Sequence, residues 1–163
     1  IRDRRQTVND TLSAPRRLAD LPASLVRPLL TESRNGGHTF VERLVSEFET
    51  GANRFDRPGE VLYGVFITDR LVGIGGLNRD PYMHDERVGR VRHLYVLSDW
   101  RRKGIGRSLV EQIIEDARNH FNLLTLRTFD EEADRFYRSL GFVTDPEMAS
   151  VSHHMQLNIG QSS

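Results

Sequence analysis

The stretch Val96-Leu-Ser-Asp-Trp-Arg-Arg-Lys-Gly-Ile-Gly-Arg107 gathers more chemistry than any other part of this chain. Arg101, Arg102, Lys103 and Arg107 crowd one turn, Arg90 and Arg92 lie just upstream, and Asp99 is the only anion between Arg90 and Arg107. Gly104 and Gly106 have no Cβ, so an anion can come close to the backbone. A β-prone run precedes the turn and an apolar-periodic run follows it, which places it where a strand passes into a helix N-terminus. Free N–H groups and the positive end of the helix then converge on one point. The ligand that fits is a polyphosphate. Neither common phosphate fingerprint is complete, because Gly-x4-Gly-Lys-Ser/Thr is absent and Leu109 takes the third position of Gly-x-Gly-x-x-Gly. On these residues alone, a phosphate cradle and an ordinary tight turn both remain open.

Composition narrows the setting. A length of 163 residues fits a single domain over the whole chain, with residues 1–13, polar and without periodicity, expected to be poorly ordered. Basic and acidic residues number 23 each, so bulk charge cannot hold the protein to nucleic acid or to an anionic membrane. The cation cluster has only Tyr95 and Trp100 nearby as stacking surfaces, so a nucleic-acid partner is not expected. Lys103 is the only lysine, a bias that GC-rich codons explain, with bidentate anion contacts reserved for a few arginines. Cysteine is absent, which excludes disulfides, thiolate metal sites and a cysteine nucleophile. No apolar run approaches the roughly 20 residues that span a bilayer. The chain opens on Ile1, so residues are expected to precede it; with no basic-then-apolar leader in view, a cytoplasmic protein is expected.

The elements that position the turn follow from periodicity. Residues 16–50 read as helices, interrupted by Pro22 and Pro28 and by Asn35-Gly36-Gly37. Thr39 to Phe48 forms an amphipathic helix stopped by Gly51. Val61 to Thr68 and Leu71 to Leu77 form a hairpin turning at Asp69-Arg70, and Gly73, Gly75 and Gly76 invite close approach to the returning strand. Val88 to Leu97 is a third strand. Gly104 to Asn119 is the clearest helix, Leu123 to Thr128 a strand, and Asp130 caps a helix to Leu140 that Gly141 ends. A last strand covers Val151 to Asn158. Such an order builds an α/β domain with a mixed sheet and packed helices.

Arg101-x-x-Gly104-x-Gly106, preceded by Leu94-Tyr95-Val96 and followed by the apolar helix, resembles the central motif of the GNAT superfamily of acyl-CoA-dependent N-acyltransferases. Asp130-x-x-Ala133-x-x-Phe136-Tyr137-x-x-Leu140-Gly141-Phe142 resembles the family's second motif, and the likeness covers Val61 to Leu157. It implies a mixed central sheet of about six or seven strands with helices on both faces, and acetyl-CoA as cosubstrate with an amine as acceptor. By the same likeness, N–H groups of Arg102, Lys103, Gly104, Ile105, Gly106 and Arg107 cradle the pyrophosphate beside Arg101. Leu94, Tyr95 and Val96 pair by main chain with the pantetheine arm, and an N–H near Leu94 or Tyr95 polarises the thioester carbonyl. Tyr137 is the general acid at the departing thiolate. Phe136 and Asp130 complete the coenzyme site, although Asp130 replaces the family's usual Asn and cannot donate as Asn does. The likeness also implies a homodimer through terminal strands.

One position departs further. Where many members carry a Glu base on the central strand, this chain has Arg90. Asp80, His84, Asp85, Glu86 and His93 are base candidates by neighbourhood, and bulk water is another. Arg90 and Arg92 read either as contacts for an acceptor carboxylate or as solvated strand residues. By the resemblance, Phe48, Asn53 and Phe55 lie where the family builds its acceptor pocket, with ordinary loop packing as the other reading. No metal is expected, since His84, His93 and the His153-His154 pair lack ligand spacing. Two rivals share these residues: a silent acyl-CoA sensor and a nucleic-acid module.

Overall fold

The computed structural model describes residues 12–157. The element order is β1 (Arg16–Arg17), α1 (Ala23–Asn35), α2 (Phe40–Thr50), β2 (Val61–Ile67), β3 (Arg70–Arg79), β4 (Val88–Val96), a 3-10 turn (Ser98–Trp100), α3 (Ile105–Arg118), β5 (Leu123–Leu126), α4 (Glu131–Ser139), β6 (Val143–Thr144) and β7 (His153–Gln156). The strands make one sheet in the order β1-β2-β3-β4-β5-β7-β6, in which only β4 and β5 run parallel. The expected mixed sheet with helices on both faces is therefore present, with seven strands.

Two cores sandwich the sheet, and β2 shows why its sequence has no polar alternation. Val61, Tyr63, Val65 and Ile67 face the core built with Leu109, Val110 and Ile113 of α3. Leu62 and Phe66 face the core built with Val26 and Leu29 of α1 and Leu44 and Phe48 of α2. A strand buried on both faces reads as a continuous apolar run. The close approach anticipated at the β3 glycines is made by the protein itself. A Cβ on Gly73 would lie 2.8 Å from Ile105 Cγ2, and one on Gly76 2.5 Å from Phe55 Cε1.

Some local expectations need correction. Pro28 does not break the first helix: α1 runs through it, losing one N–H bond while Val26, Leu29 and Ser33 bury a face. Pro22 instead precedes the helix, and its carbonyl accepts from Leu25 and Val26. Arg16–Arg17 is a short strand rather than helix, pairing with Gly64 and Tyr63. Thr68 and Asp69 make the hairpin loop, since Ile67 pairs with Arg70. The last strand is shorter than expected, and Asn158, like residues 1–11 of the expected frayed start, lies outside the described residues. Gly51 and Gly141 adopt the left-handed conformation anticipated for helix stops. No helix of the described residues is long and apolar enough to cross a membrane.

Candidate active site

The site begins with a fault in the sheet. β4 pairs with β5 only at Val88, Gly89 and Arg90, so among the described residues the main chain from Val91 to Val96 has no strand partner on that side. On its other side β4 stays paired with β3, but the register steps from Gly76↔Arg92 to Ile74↔Tyr95. His93 and Leu94 therefore oppose the single residue Gly75, and His93 takes φ 61. This is a β-bulge, which bends a strand and re-aims its groups. An open wedge between parallel strands, with a bulge on its wall, lies in the middle of the sheet.

The basic turn lies beyond the wide end of that wedge. Arg102 at φ 62 and Gly104 at φ 83 curl the chain into α3, whose first carbonyl bond runs from Ser108 N–H to Gly104 O at 3.0 Å. The N–H groups of residues 102–107 donate to no described residue. A Cβ on Gly104 would meet nothing within 4 Å, so the space in front of these amides is open. These donors fit a pyrophosphate.

The nearby cations divide by their commitments. Lys103 has no ion pair among the described residues, and Arg102 meets Glu132 only at 3.7 Å with both side chains well exposed. Arg107 is shared between Glu111 (3.4 Å) and Ser139 Oγ (3.1 Å). Arg101 turns back: its Nε donates to Val96 O at 2.8 Å and its guanidinium lies over the Tyr95 ring. Ile105 offers only its main chain, because its side chain is buried under Gly73. Leu94 and Val96 pack toward α3, whereas Tyr95 is buried on the α1 side and donates to Glu32 Oε2 at 2.6 Å.

Tyr137 is placed by α4 in the core shared with α3. Its ring packs against Phe136, Phe142 and His153, with centroids 5.0, 5.5 and 6.1 Å away. Its hydroxyl makes no hydrogen bond among the described residues, and burial raises its pKa above the ordinary tyrosine value. The phenol is thus a neutral donor at any physiological pH. Phe136 lies 3.6 Å from where a Gly106 Cβ would be, linking α4 to the turn. Asp130 accepts from Ala133 N–H at 3.0 Å as the N-cap of α4.

Among the base candidates, most carboxylates are already occupied. Asp80 is fully buried, pairs with Arg90 (3.1 Å) and accepts from Thr125 Oγ1 (2.6 Å). Asp85 binds Arg87, and Glu86 meets Arg79 at 3.4 Å. His84 is exposed. His93 differs: it is buried at the bulge and neither ring nitrogen has a hydrogen-bond partner among the described residues. Burial, followed by the Arg92 charge, pushes its pKa down to about 4, so the imidazole is neutral at pH 7. Arg43 and Glu47 of α2 are the other charges near it.

This has a measurable consequence. As pH falls below 6.5 the unfolded chain protonates this histidine while the folded chain does not, so stability is lost between pH 6.5 and about 4. His93→Asn, which tolerates the positive φ, should abolish on the order of 2–3 kcal/mol of that loss. Urea unfolding of both proteins at pH 7 and pH 4.5 measures it. Parallel pH dependences would show that His93 protonates in the folded state.

Two features escaped the sequence. Glu32 of α1 accepts from Tyr95 Oη and from Ser98 N–H and Oγ, fixing the end of β4 to the 3-10 turn. Burial opposes its charge, yet these bonds and nearby Arg101 hold its pKa below the usual carboxylate value. No local pattern marks a residue acting across 66 positions. A polar cleft of about 600 Å³ was also unforeseen in extent, lined by Arg43 and Glu47 of α2, Asn53, Asn78, Tyr82 and Arg92 among others. Asn53 and Asn78 exchange two 2.9 Å amide bonds there. Phe48 and Phe55 are core residues instead of lining it.

Comparison with known proteins agrees with this geometry. The family model described as the acetyltransferase (GNAT) family matches residues 27–142. A protein from Exiguobacterium sp. 255-15 described as an acetyltransferase is 29% identical, with a TM-score of 0.78 over 89% of this chain and 93% of its own. A GCN5-related N-acetyltransferase from Kribbella flavida shares the fold at 19% identity, TM-score 0.64, covering 91% of this chain and 99% of that one. So does a Salmonella typhimurium protein described as an acetyltransferase, solved with its cofactor acetyl-CoA, at 16% identity, TM-score 0.63 and coverages of 90% and 95%. With its splayed sheet and amide-lined turn matched over most of its length, the chain belongs to the GNAT acetyltransferase family and is an acetyltransferase that uses acetyl-CoA.

Proposed function

We propose that the protein transfers the acetyl group of acetyl-CoA to a primary amine of a small molecule or protein by direct attack on the thioester. The observation that carries this reading is the β4 edge from Val91 to Val96, unpaired among the described residues, which leads to the amide-lined turn. The residues then divide the work. The 102–107 amides and Lys103 hold the pyrophosphate, with Arg102 and Arg107 at its rim. Leu94 to Val96 offer main-chain groups to the pantetheine arm as an added strand. Arg101 keeps the end of β4 in shape through Val96 O rather than gripping phosphate.

In the transfer, the amine nitrogen bonds the acetyl carbon, the carbon–sulfur bond breaks, and the amine loses one proton while the thiolate gains one. The protein aligns the two substrates and stabilises charge, with an N–H at the bulge facing the developing oxyanion and Tyr137 facing the sulfur. His93 is neutral beside the bulge, but the burial that pushes its pKa down to about 4 makes it a poor proton acceptor, so the amine proton leaves through water. Asp130 acts through the start of α4 rather than through the coenzyme.

A screen of amines (aminoglycosides, polyamines, amino acids and peptide N-termini) with free thiol as readout tests the reading, which fails if no amine raises thiol release. Coenzyme binding is tested separately. At a hundredfold excess over its Kd, acetyl-CoA should stabilise the protein by about 2.7 kcal/mol. Gly104→Val should erase that shift, since its side chain fills the open space before the amides and strains a φ of 83. A retained shift would remove the turn from the coenzyme site.

A further inference from the structure

The cleft beside β4 sorts its charges unevenly. Each carboxylate lining it already has a donor: Glu47 accepts from Arg43 at 3.0 Å, Glu60 from Arg79 N–H at 2.9 Å, and Asp80, Asp85 and Glu86 hold Arg90, Arg87 and Arg79. Arg90, the other sequence candidate for an acceptor contact, is consumed, since Asp80 and Ser150 O take its guanidinium. Arg92 is left over. It projects from β4 into the cleft one residue before the bulge and is half-buried, with no hydrogen bond or salt bridge among the described residues. The remaining cleft cations, Arg43, Arg57 and Arg79, are exposed to water.

We propose that Arg92 is the specificity-determining residue for the acceptor and that it selects an amine which also carries an oxyanion, a carboxylate or phosphate. This deepens the amine-transfer reading and rests on it. A guanidinium withdrawn from water without a partner costs free energy that an incoming oxyanion recovers, and its planar fork matches such a group by two parallel bonds. Burial, with Arg43 and Arg90 nearby, lowers its pKa, while Glu47 and Tyr82 only partly offset this, so the site is set to take an anion. Arg92 also precedes His93 directly, so an acceptor held there by its anion has its amine delivered to the bulge. Polyamines and aminoglycosides, polycations with no carboxylate or phosphate, have nothing to give this residue.

The test is turnover at saturating acetyl-CoA for matched pairs of amines, an amino acid against its carboxamide, with phosphoethanolamine against ethanolamine as the second arm. The anionic member should be preferred by about tenfold to a hundredfold in kcat/KM, mostly through KM, and the arm with the larger ratio tells carboxylate from phosphate. Arg92→Gln should collapse the ratio toward one while leaving acetyl-CoA stabilisation intact, and Arg92→Lys should restore part of it. Equal use of members with and without the oxyanion, or a ratio untouched by Arg92→Gln, overturns the assignment while amine transfer stands. Silence with every amine overturns both.

Discussion

Tyr137→Phe should lower kcat by about 10²- to 10⁴-fold while acetyl-CoA still stabilises the protein. The substitution is unusually clean. The ring keeps its contacts with Phe136, Phe142 and His153, and the hydroxyl gives up no hydrogen bond to a described residue, so stability should stay within about 0.5 kcal/mol. The lower end of the range is expected for a physical reason. A thiol titrates near 8.5 and a phenol near 10, and burial raises the Tyr137 phenol further. Full proton transfer to the thiolate is therefore uphill, and the phenol acts chiefly as a hydrogen-bond donor to the charge growing on sulfur. The proton that neutralises the thiolate comes in the end from the amine. It follows that kcat should show no basic limb from Tyr137 below pH 10. Unchanged kcat in the Phe variant would assign the residue to packing alone.

The parts of this protein legible in the sequence are those whose causes are local. α3 shows its apolar stripe, α2 and α4 their ends at Gly51 and Gly141, and Asp130 its cap, because each depends on neighbours within a turn or two. The basic turn before α3 was legible for the same reason: its glycines, cations and helix start are contiguous. What stayed hidden was decided across the sheet. The β-bulge at His93 places a non-glycine residue at positive φ, against local preference, because Gly75 opposite leaves room for Leu94. Arg90, Arg92 and Arg101 look alike in one dimension, yet one is buried against Asp80, one is unpaired in the cleft and one caps Val96 O. Their roles depend on which partners the fold brings to them, from Val96 five positions before Arg101 to Ser150 sixty beyond Arg90. Pro28 misled in the opposite direction, since a strong local signal yielded to the burial of the α1 face.

The pair Asp80–Arg90 sits at the last rung before the sheet opens, and its loss should be the most damaging single change to stability. Arg90 pairs in register with Thr125, and both side chains converge on Asp80, whose carboxylate also accepts from Tyr82 N–H (2.7 Å) and Met83 N–H (3.2 Å). The Arg90 and Asp80 side chains are 6% and 0% exposed, so neither charge has water to fall back on. Asp80→Ala leaves a buried cation uncompensated and should cost about 3–5 kcal/mol. Adding Arg90→Met should recover part of that, since it removes the stranded charge, while Tyr82 N–H, Met83 N–H and the Thr125 hydroxyl still lack the Asp80 acceptor. Recovered stability need not bring back catalysis. Arg90 also donates to Ser150 O at 2.8 Å, so the pair joins β3, β4, β5 and the segment before β7 at the apex of the wedge. If that junction sets the width of the opening, the double variant should fold yet lose kcat/KM for the amine. A single Asp80→Ala variant within 1 kcal/mol of the parent would show that strand pairing alone holds the apex. Full activity in the stable double variant would show that the wedge keeps its width without the pair.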